Sequence, residues 1–385
     1  MLSILYLVQD LADPAVRRRV FMLRQGGANV ALAGFLRGDS PLPDFEGIVP
    51  VVLGRTHDRR FGQRLMAVAW AAVRHLRGAF AGGSRPDLIL ARNLEMLALA
   101  VRAARQFAGS RLPIVYETLD IHRLLLRRDP LGAAFRAAER RLGRHAKLLI
   151  TSSPAFEREY FRPLRQIDAP IMLVENKVLA PSTEGSGAAD LSRQPGPPWI
   201  IGWFGALRCR RSLSILSEFS RRMEGRFVIR LRGRPALTEF DDFAKLVARE
   251  PYVEYLGPYR YPDDLAAMYR EVHFVWTVDL FEAEGNSRWL LPNRLYEGCR
   301  WGAVPIALRD VEVGRYLADR GVGLMLEEPT SDALERLLGP IDGPAHARLT
   351  DAIAGFDPAN WAHGSADCQT LVDRLRRLVT QTTAS

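Results

Sequence analysis

Cysteine, lysine and long apolar runs are all scarce in this chain. Only three of its 385 residues are cysteine, and none stands in a Cys-x-x-Cys pair. We therefore expect neither a disulfide scaffold nor a structural zinc site, and we expect a reducing, cytoplasmic compartment. No stretch of about 18 uncharged apolar residues occurs, so no transmembrane helix is expected. The apolar start from Met1 to Val8 is too short for a signal peptide and runs straight into Gln9 and Asp10.

Positive charge is present, but it is placed unevenly. The net charge is +9, from 53 basic and 44 acidic side chains, and only three of the basic ones are lysines. Residues 1–178 carry a net charge of +12 and residues 179–385 carry −3. The excess lies within residues 51–150, which hold 19 basic and 7 acidic side chains. A local excess of this kind favours an anionic partner for the first part of the chain, either nucleic acid or a membrane surface.

Apolar runs alternate with amphipathic stretches in the first part of the chain. The run Ile4–Val8 predicts a buried strand, and a helix over 15–25 followed by a strand over 28–34 completes a βαβ unit. The pattern continues with strands predicted at 87–91, 114–117, 147–151 and 172–174, and helices at 94–107 and 131–144. This alternation predicts an α/β fold with a doubly wound parallel sheet.

A second α/β series begins at Trp199, after a segment rich in Pro, Ser, Gly and Thr. Because a single core stops growing at roughly 250–300 residues, two domains are expected. We predict an N-terminal domain over 1–178, a linker over 179–198, a C-terminal domain over 199–355, and a helical segment over 356–385 that can cross back to the first domain. Two such domains leave a cleft between the carboxyl ends of their sheets, where ligands bind in these folds.

Two basic turns follow predicted strands of the second domain. In the first, a strand ends at Gly205, and Arg208 and Arg211 lead into a helix; the second carries Arg234. Glycine lets a ligand approach the backbone, and a helix N-terminus with arginines favours a diphosphate. Either turn alone is explained equally well as a tight turn with solvated arginines. Two such turns on adjacent βα units would converge on one anionic site.

A third motif is the segment 286–298, in which Pro292 starts a helix that carries Asn293, Arg294 and Glu297. Arg294 and Glu297 share a face of this helix. They can form a simple helical ion pair, worth about 0.3–0.5 kcal/mol if exposed. The Gly/Asn/Ser loop before the helix and the Gly-x-x-Pro strand after it place the pair at the cleft instead.

Together these motifs resemble the nucleotide-sugar-dependent glycosyltransferases of the GT-B architecture, in particular the family-4-like group of bacterial exopolysaccharide synthesis, and are most similar to the succinoglycan-type group. The resemblance covers nearly the whole chain and implies two Rossmann-like domains facing a central cleft. The residues that carry it are Trp203-Phe204-Gly205, Leu256-Gly257 with Pro262–Tyr269, and Pro292–Glu297 with Gly302–Pro305.

The resemblance implies that the second domain holds a nucleoside-diphosphate sugar, with UDP favoured, as a substrate rather than a cofactor. Glu297 matches the family glutamate that accepts hydrogen bonds from the ribose hydroxyls. The usual family lysine falls on Arg211, with Arg208 close by. Many members have a second glutamate eight positions before the first, where this chain has Trp289. Arginines can stabilise the departing diphosphate without a metal ion, so we expect none.

Polar residues at the end of the strand predicted over 114–117 are candidates on the acceptor side. An inverting transfer needs a base that removes the acceptor hydroxyl proton, and our order of preference is Asp120, His122 and Glu117. A retaining transfer needs no such base, and Asp120 can equally cap the helix that follows. Asp10 and Asp13 can bind acceptor hydroxyls or cap the first helix.

A basic stretch over 59–77 predicts an amphipathic helix. It can lie at a membrane surface with anionic lipids, or it can pack its apolar side on the first sheet. The expected membrane contacts are Arg60, Arg64, Trp70, Arg74 and Arg77. A second basic cluster comprises Arg136, Arg140, Arg141, Arg144 and Lys147.

No nucleic-acid-binding motif appears, so we expect no nucleic acid partner. The acceptor expected from the resemblance is a saccharide carried on a lipid, such as a polyprenyl diphosphate, at the inner face of the cell membrane. Two alternatives remain open. One is a sugar-nucleotide epimerase of the same architecture, and the other is a non-catalytic GT-B scaffold.

Overall fold

The computed structural model describes residues 1–37, 42–45, 47–56, 85–106, 112–180, 193–236, 238–283 and 285–383. The chain forms two compact units: unit 1 comprises 1–175, 179–182 and 363–385, and unit 2 comprises 176–178 and 183–362. Unit 2 continues beyond residue 355, where we expected the second domain to end. The helix predicted over 59–77, with Arg60, Arg64, Trp70, Arg74 and Arg77, lies outside the described residues, as does most of the predicted linker.

Seven parallel strands form the sheet of unit 1, in the order β3-β2-β1-β4-β5-β6-β7. They are β1 (Leu2–Val8), β2 (Ala28–Arg37), β3 (Val51–Thr56), β4 (Leu88–Arg92), β5 (Ile114–Thr118), β6 (Ala146–Thr151) and β7 (Ile171–Leu173). The connecting helices are α1 (Pro14–Gln25), α2 (Asn93–Gln106), α3 (Arg123–Leu126), α4 (Pro130–Gly143) and α5 (Pro154–Phe156), the last followed by the π-turn Glu157–Phe161. The predicted doubly wound parallel sheet is confirmed.

The last helix of the chain, α13 (Ser365–Thr383), belongs to unit 1. Its apolar face, which includes Cys368 and Leu371, joins the same buried cluster as Val16 of α1. The close approach of the two helices requires glycine at the end of α1, because a Cβ on Gly26 would lie 2.3 Å from the carbonyl oxygen of Cys368. The C-terminal helix therefore completes the core of the first unit.

Six parallel strands form the sheet of unit 2, in the order β11-β10-β9-β12-β13-β14. They are β9 (Trp199–Leu207), β10 (Phe227–Pro235), β11 (Val253–Tyr255), β12 (Phe274–Trp276), β13 (Val304–Leu308) and β14 (Leu324–Leu326). The helices are α6 (Arg210–Arg222), α7 (Phe243–Ala248), α8 (Leu265–Arg270), α9 (Asn293–Arg300), α10 (Glu312–Ala318), α11 (Ser331–Leu338) and α12 (Gly343–Ala354). Short 3₁₀ turns cover Asn286–Arg288 and Pro358–Asn360, and β8 (Val178–Leu179) pairs with β15 (Ala362–His363).

The order of the strands in unit 2 creates a switch point between β9 and β12. The chain proceeds from β9 outward to β10 and β11 on one side, and then from β12 outward to β13 and β14 on the other. The connections on the two sides therefore diverge, and a crevice forms where the carboxyl ends of β9 and β12 lie side by side. Ligands of doubly wound sheets bind at such a crevice.

None of the described helices is both long enough and apolar enough to cross a membrane.

Candidate functional site

Two glycines shape the carboxyl ends of β9 and β10. Gly205 and Gly233 are paired across the two strands, and their φ angles are 106° and 136°. A Cβ on Gly233 would lie 1.8 Å from the carbonyl oxygen of Gly205, so no side chain fits there. A Cβ on Gly205 would meet only the hydroxyl of Tyr259, at 4.0 Å. Space is therefore left beside Gly205, with Tyr259 on its border.

A carboxylate and a guanidinium meet across the switch point. Arg208, just after β9, donates from Nη2 to Oδ2 of Asp279 at 3.1 Å, and Asp279 follows β12. The other oxygen, Oδ1, accepts from the backbone N–H of Phe281 at 2.9 Å and from the hydroxyl of Ser287 at 3.1 Å. The guanidinium carbon of Arg208 lies 4.9 Å from the centre of the Phe281 ring. Arg208 is thus held at the crevice while its side chain stays 40% exposed.

Arg294 brings a second positive charge to the same carboxylate. Its Nη2 donates to the carbonyl oxygen of Val278 at 3.2 Å, and its Nε has no hydrogen-bond partner within the described part of the chain. Burial lowers the pKa of Arg294, although the nearby Asp279 carboxylate opposes this shift. The pKa of Asp279 is lowered because the positive charges of Arg294 and Arg208 outweigh its burial. One carboxylate is therefore paired with Arg208 and feels the charge of Arg294, and the net positive charge left over suits an anion such as a diphosphate.

Glu297 lies one turn further along α9 and is only 4% exposed. Its Oε2 accepts a hydrogen bond from the hydroxyl of Tyr269 at 2.7 Å. Burial raises the pKa of Tyr259, and the negative charge of Glu297 adds to this effect. Glu297 is therefore a buried carboxylate fixed by a tyrosine, on the same helix as Arg294. Such a group can accept hydrogen bonds from a pair of sugar hydroxyls.

The remaining predicted donor residues lie at the same edge of the sheet. Arg211 is in the first turn of α6 and donates to the carbonyl oxygen of Pro329 at 3.4 Å. Arg234 is exposed near the end of β10, and Asn293 is half-buried at the start of α9. The structure thus brings Arg208, Arg294 and Glu297 around the switch point, whereas Arg211 contacts Pro329, in the segment that follows β14.

Sequence reasoning missed several residues of this site, above all Asp279 and its partners Phe281 and Ser287. Asp279 could have been found as the first charged residue after a buried strand, since that position faces the ligand edge of a parallel sheet. Tyr269 ends the motif Pro262–Tyr269, and Tyr259 lies just before it. Nothing in the sequence shows which carboxylate these tyrosines approach.

On the acceptor side, Glu117 is in a buried ion-pair network. Its side chain is 0% exposed, and it accepts from Arg19 Nε at 2.6 Å, Arg92 Nε at 2.9 Å and the Tyr6 hydroxyl at 2.5 Å. The two guanidiniums lower its pKa to about 2 in spite of its burial. A carboxylate so placed cannot reach an acceptor and is a weak base. The geometry therefore favours a structural role for Glu117 over the catalytic role we considered.

The other predicted acceptor-side residues are at the surface of unit 1. Asp13 caps α1, because its Oδ1 accepts from the N–H of Ala15 at 2.9 Å, and Asp10 accepts from Ala12 in a similar turn at 3.0 Å. Of the two roles considered for Asp13, acceptor binding and helix capping, the structure therefore shows capping. The helix after β5 is capped by His122 and not by Asp120, which is exposed.

The cap has a chemical consequence for His122. Its Nδ1 accepts the N–H of Leu124 at 3.3 Å, so a neutral ring carries its proton on Nε2. In this tautomer, assigned from the hydrogen bond, Nε2 donates and the lone pair of Nδ1 is engaged by the cap. Asp120 and His122 are both exposed after β5, and both remain candidates for a base.

Unit 1 also contains a second buried carboxylate, Glu139 of α4. It accepts from the hydroxyls of Tyr116 at 2.9 Å and Tyr160 at 2.5 Å. Burial raises its pKa to about 7, although the two hydroxyl donors oppose that shift. Glu139 is 0% exposed, so we assign it to the packing of α4 against β5 and the π-turn.

Within the described ranges, no group of three or more His, Cys, Asp or Glu side chains is placed so that it could hold a metal ion. The three cysteines are free and buried. Cys209 caps α6, with its sulfur accepting from the N–H of Ser212 at 3.3 Å.

The chain is similar to known proteins along nearly its whole length. Residues 5–177 match the family described as "Glycosyl transferase 4-like domain". The chain is 54% identical, over 384 residues, to the succinoglycan biosynthesis protein ExoL of Rhizobium meliloti (strain 1021), covering 99% of this chain and 95% of that protein.

Solved structures with similar folds share much less sequence. Sucrose-phosphate synthase from Thermosynechococcus elongatus has a TM-score of 0.73 at 14% identity, with all of both chains covered. Alr3699/HepE of Anabaena, solved in complex with UDP, has a TM-score of 0.66 at 17% identity, with 99% of this chain and 100% of that chain covered. At such identities the likeness shows the GT-B fold and nothing more. The 54% identity to ExoL and the matched domain carry the assignment: this chain belongs to the glycosyl transferase 4-like family and is a glycosyltransferase of the GT-B fold.

Proposed function

We propose that this enzyme transfers a sugar from a nucleoside-diphosphate sugar to a lipid-linked saccharide in the synthesis of a bacterial exopolysaccharide of the succinoglycan type. The observation that carries the donor half is the arrangement at the switch point of unit 2. There, Gly205 leaves space beside the backbone, Arg208 pairs with the Asp279 carboxylate, and Arg294 and Glu297 lie one turn apart on α9. The diphosphate would bind the arginines and the ribose hydroxyls would bind Glu297.

Uridine nucleotides are the first donors to test, because Alr3699/HepE was solved with UDP and also with UDP-glucose. A thermal-shift screen of UDP-, GDP- and ADP-sugars ranks donors without knowledge of the acceptor. A ligand at 100 times its Kd stabilises the folded protein by about 2.7 kcal/mol. We expect UDP-sugars to raise the melting temperature most. If no nucleotide sugar shifts it, the donor assignment is wrong, and the alternative of a non-catalytic scaffold gains support.

Arg208→Gln tests the diphosphate contact specifically. A charge-assisted hydrogen bond contributes about 1.5–3 kcal/mol. A loss at the lower end of this energy range corresponds to a fall in UDP affinity of roughly 10- to 30-fold, which is the effect we expect. Uridine lacks phosphates and should bind as before. Calorimetric titration of both ligands measures the difference. Arg210→Gln is the matched control, since Arg210 is exposed on the same turn and donates to the Glu239 carbonyl oxygen at 2.7 Å. Equal losses in both variants would contradict the assignment.

The acceptor half of the proposal rests on Asp120 as base, if the transfer inverts, and on a membrane surface as the place of reaction. Asp120 is exposed at the carboxyl edge of the first sheet, as a base must be. The basic excess over residues 51–150 supports attraction to anionic lipid at the inner face of the cell membrane. Binding to phosphatidylglycerol vesicles should then fall as salt is added, because exposed charges are screened within about 8 Å at 0.15 M. Salt-independent or absent binding would contradict the membrane proposal.

A further inference from the structure

Two neighbouring cavities open in unit 1, where α2, α4 and α13 end. Their volumes are about 650 Å³ and 390 Å³, and they share Val101, Arg105 and His145. We call the two together the basic groove. Its lining includes six cationic side chains, Arg102, Arg105, Arg141, Arg144, Lys147 and Arg374.

The basic groove lies at the amino edge of the first sheet. Ile114 and Lys147, near the starts of β5 and β6, line it, and so does Pro170, just before β7. Asp120 and His122 follow the carboxyl end of β5, at the opposite edge. The groove is therefore separate from the candidate acceptor loop, although five of its six cations belong to the basic excess over residues 51–150 on which the membrane proposal rests.

The charge of the basic groove is strongly positive. Within the described part of the chain, no aspartate or glutamate lines either cavity. Three helices end here, and the C-terminus of each contributes about half a negative charge. Basic residues at helix ends often do no more than compensate this dipole, but roughly 1.5 negative charges do not balance even the five positive side chains other than Arg102. The groove therefore keeps a net positive charge that suits an anionic ligand.

The groove is also lined by apolar side chains, Val101, Leu112, Ile114 and Leu378, and all of these except Leu112 are buried. A concave surface with an apolar lining and a few convergent polar groups is the usual form of a small-molecule site. Several arginines around it match the oxygens of a phosphate, which they can bind in a bidentate manner. We propose that the basic groove binds a phosphate-bearing anion, with its phosphate on Arg105, Arg144, Lys147 and Arg374. The phosphate belongs either to a soluble ester or to a lipid headgroup.

The scarcity of lysine allows a site-specific test. Lys147 is one of only three lysines, and both it and Lys245 are exposed, but Lys245 lies on α7 in unit 2. The full chain is treated with an amine-reactive acetylating reagent, and modification at each lysine is followed by peptide mass spectrometry. Parallel samples contain inorganic pyrophosphate, phosphatidylglycerol vesicles or phosphatidylcholine vesicles, all at constant ionic strength. Because the readout is at Lys147, pyrophosphate bound at the donor site does not interfere.

We expect pyrophosphate or phosphatidylglycerol to slow modification of Lys147 by about tenfold at ten times the Kd, with Lys245 unchanged. Protection by pyrophosphate indicates a soluble ligand, and protection by phosphatidylglycerol alone indicates a headgroup. The double variant Arg105→Gln/Arg374→Gln should abolish the protection. The matched control Arg123→Gln/Arg128→Gln, which removes two exposed arginines of the same unit outside the groove, should retain it. No protection by either anion, or protection that survives in the Arg105/Arg374 variant, would overturn the proposal.

Discussion

Replacing Glu297 by glutamine is expected to weaken UDP binding by about 2–3 kcal/mol, or roughly 30- to 150-fold. The change keeps the size of the side chain and removes the negative charge of the carboxylate, whose oxygens would accept hydrogen bonds from both ribose hydroxyls. Uridine binding should fall by the same factor, since the ribose is common to both ligands. Calorimetric titration of UDP and uridine measures the two effects. Arg208→Gln affects only the phosphate-bearing ligand, so the two variants together map both halves of the nucleotide.

Two control variants separate a ribose contact from a general disturbance of unit 2. Glu312→Gln alters another glutamate of the same unit that is equally buried, at 4% exposed, and pairs with Arg315 at 3.3 Å. It should leave UDP affinity unchanged. Tyr269→Phe keeps the Glu297 carboxylate but removes the hydroxyl that fixes it, so we expect an intermediate loss of roughly tenfold. If Glu297→Gln binds UDP as the native protein does, the ribose assignment is wrong.

The predicted fold was accessible from the sequence because its signals are local. A run such as Ile4–Val8, followed by a capped helix with Pro14 in its first turn and by Gly26, specifies a βαβ unit by spacing alone. Element ends were less accurate. Arg211 was expected to lead into a helix, but it already lies in the first turn of α6, which begins at Arg210 because Cys209, an unusual cap, accepts the N–H of Ser212.

The site could be predicted only in part, because its contacts join distant segments. The glycine turn and the Arg294/Glu297 helix were recognised as motifs. Asp279 was not, because it meets Arg208 across 71 residues and only the strand order places β12 beside β9. Glu117 shows the opposite situation, in which the contacts seen in the fold favour a structural role for a residue that the sequence suggested as a base. A carboxylate at a strand end is typical of an active site, but here the partners that bury it come from three other elements, at Tyr6, Arg19 and Arg92.

That burial gives Glu117 a large expected effect on the stability of unit 1. Glu117→Gln leaves Arg19, which is 5% exposed, without its carboxylate, and leaves Arg92, which is 3% exposed, with Asp13 alone at 3.2 Å. Removing one partner of a buried ion pair costs about 3–5 kcal/mol of unfolding free energy. Tyr6→Phe removes a single neutral donor and should cost about 1 kcal/mol. Glu159→Gln, which breaks a surface pair with Arg158, should change stability by less than about 1 kcal/mol.

The measurement can distinguish the two units. Six of the seven tryptophans, Trp199, Trp203, Trp276, Trp289, Trp301 and Trp361, belong to unit 2. Urea unfolding followed by tryptophan fluorescence therefore reports mainly on unit 2, while hydrogen exchange at the amides of β1, β4 and β5 reports on unit 1. In Glu117→Gln we expect faster exchange in these three strands, with the fluorescence midpoint little changed.

The pH dependence of unit 1 gives an independent check. The pKa of Glu117 falls from an unfolded value near 4.5 to about 2 in the folded protein. The resulting stabilisation, on the order of 3 kcal/mol at 1.36 kcal/mol per pKa unit, is fully present above pH 4.5. It is lost as the pH falls from about 4.5 through 2, because the folded protein must then protonate a paired carboxylate. The glutamine in Glu117→Gln cannot be protonated. The variant should therefore be less stable at neutral pH and should not show this fall in unfolding free energy between about pH 4.5 and 2. A variant as stable as the native protein, with the same acid transition, would mean that the network around Glu117 contributes little and would reopen the question of its catalytic role.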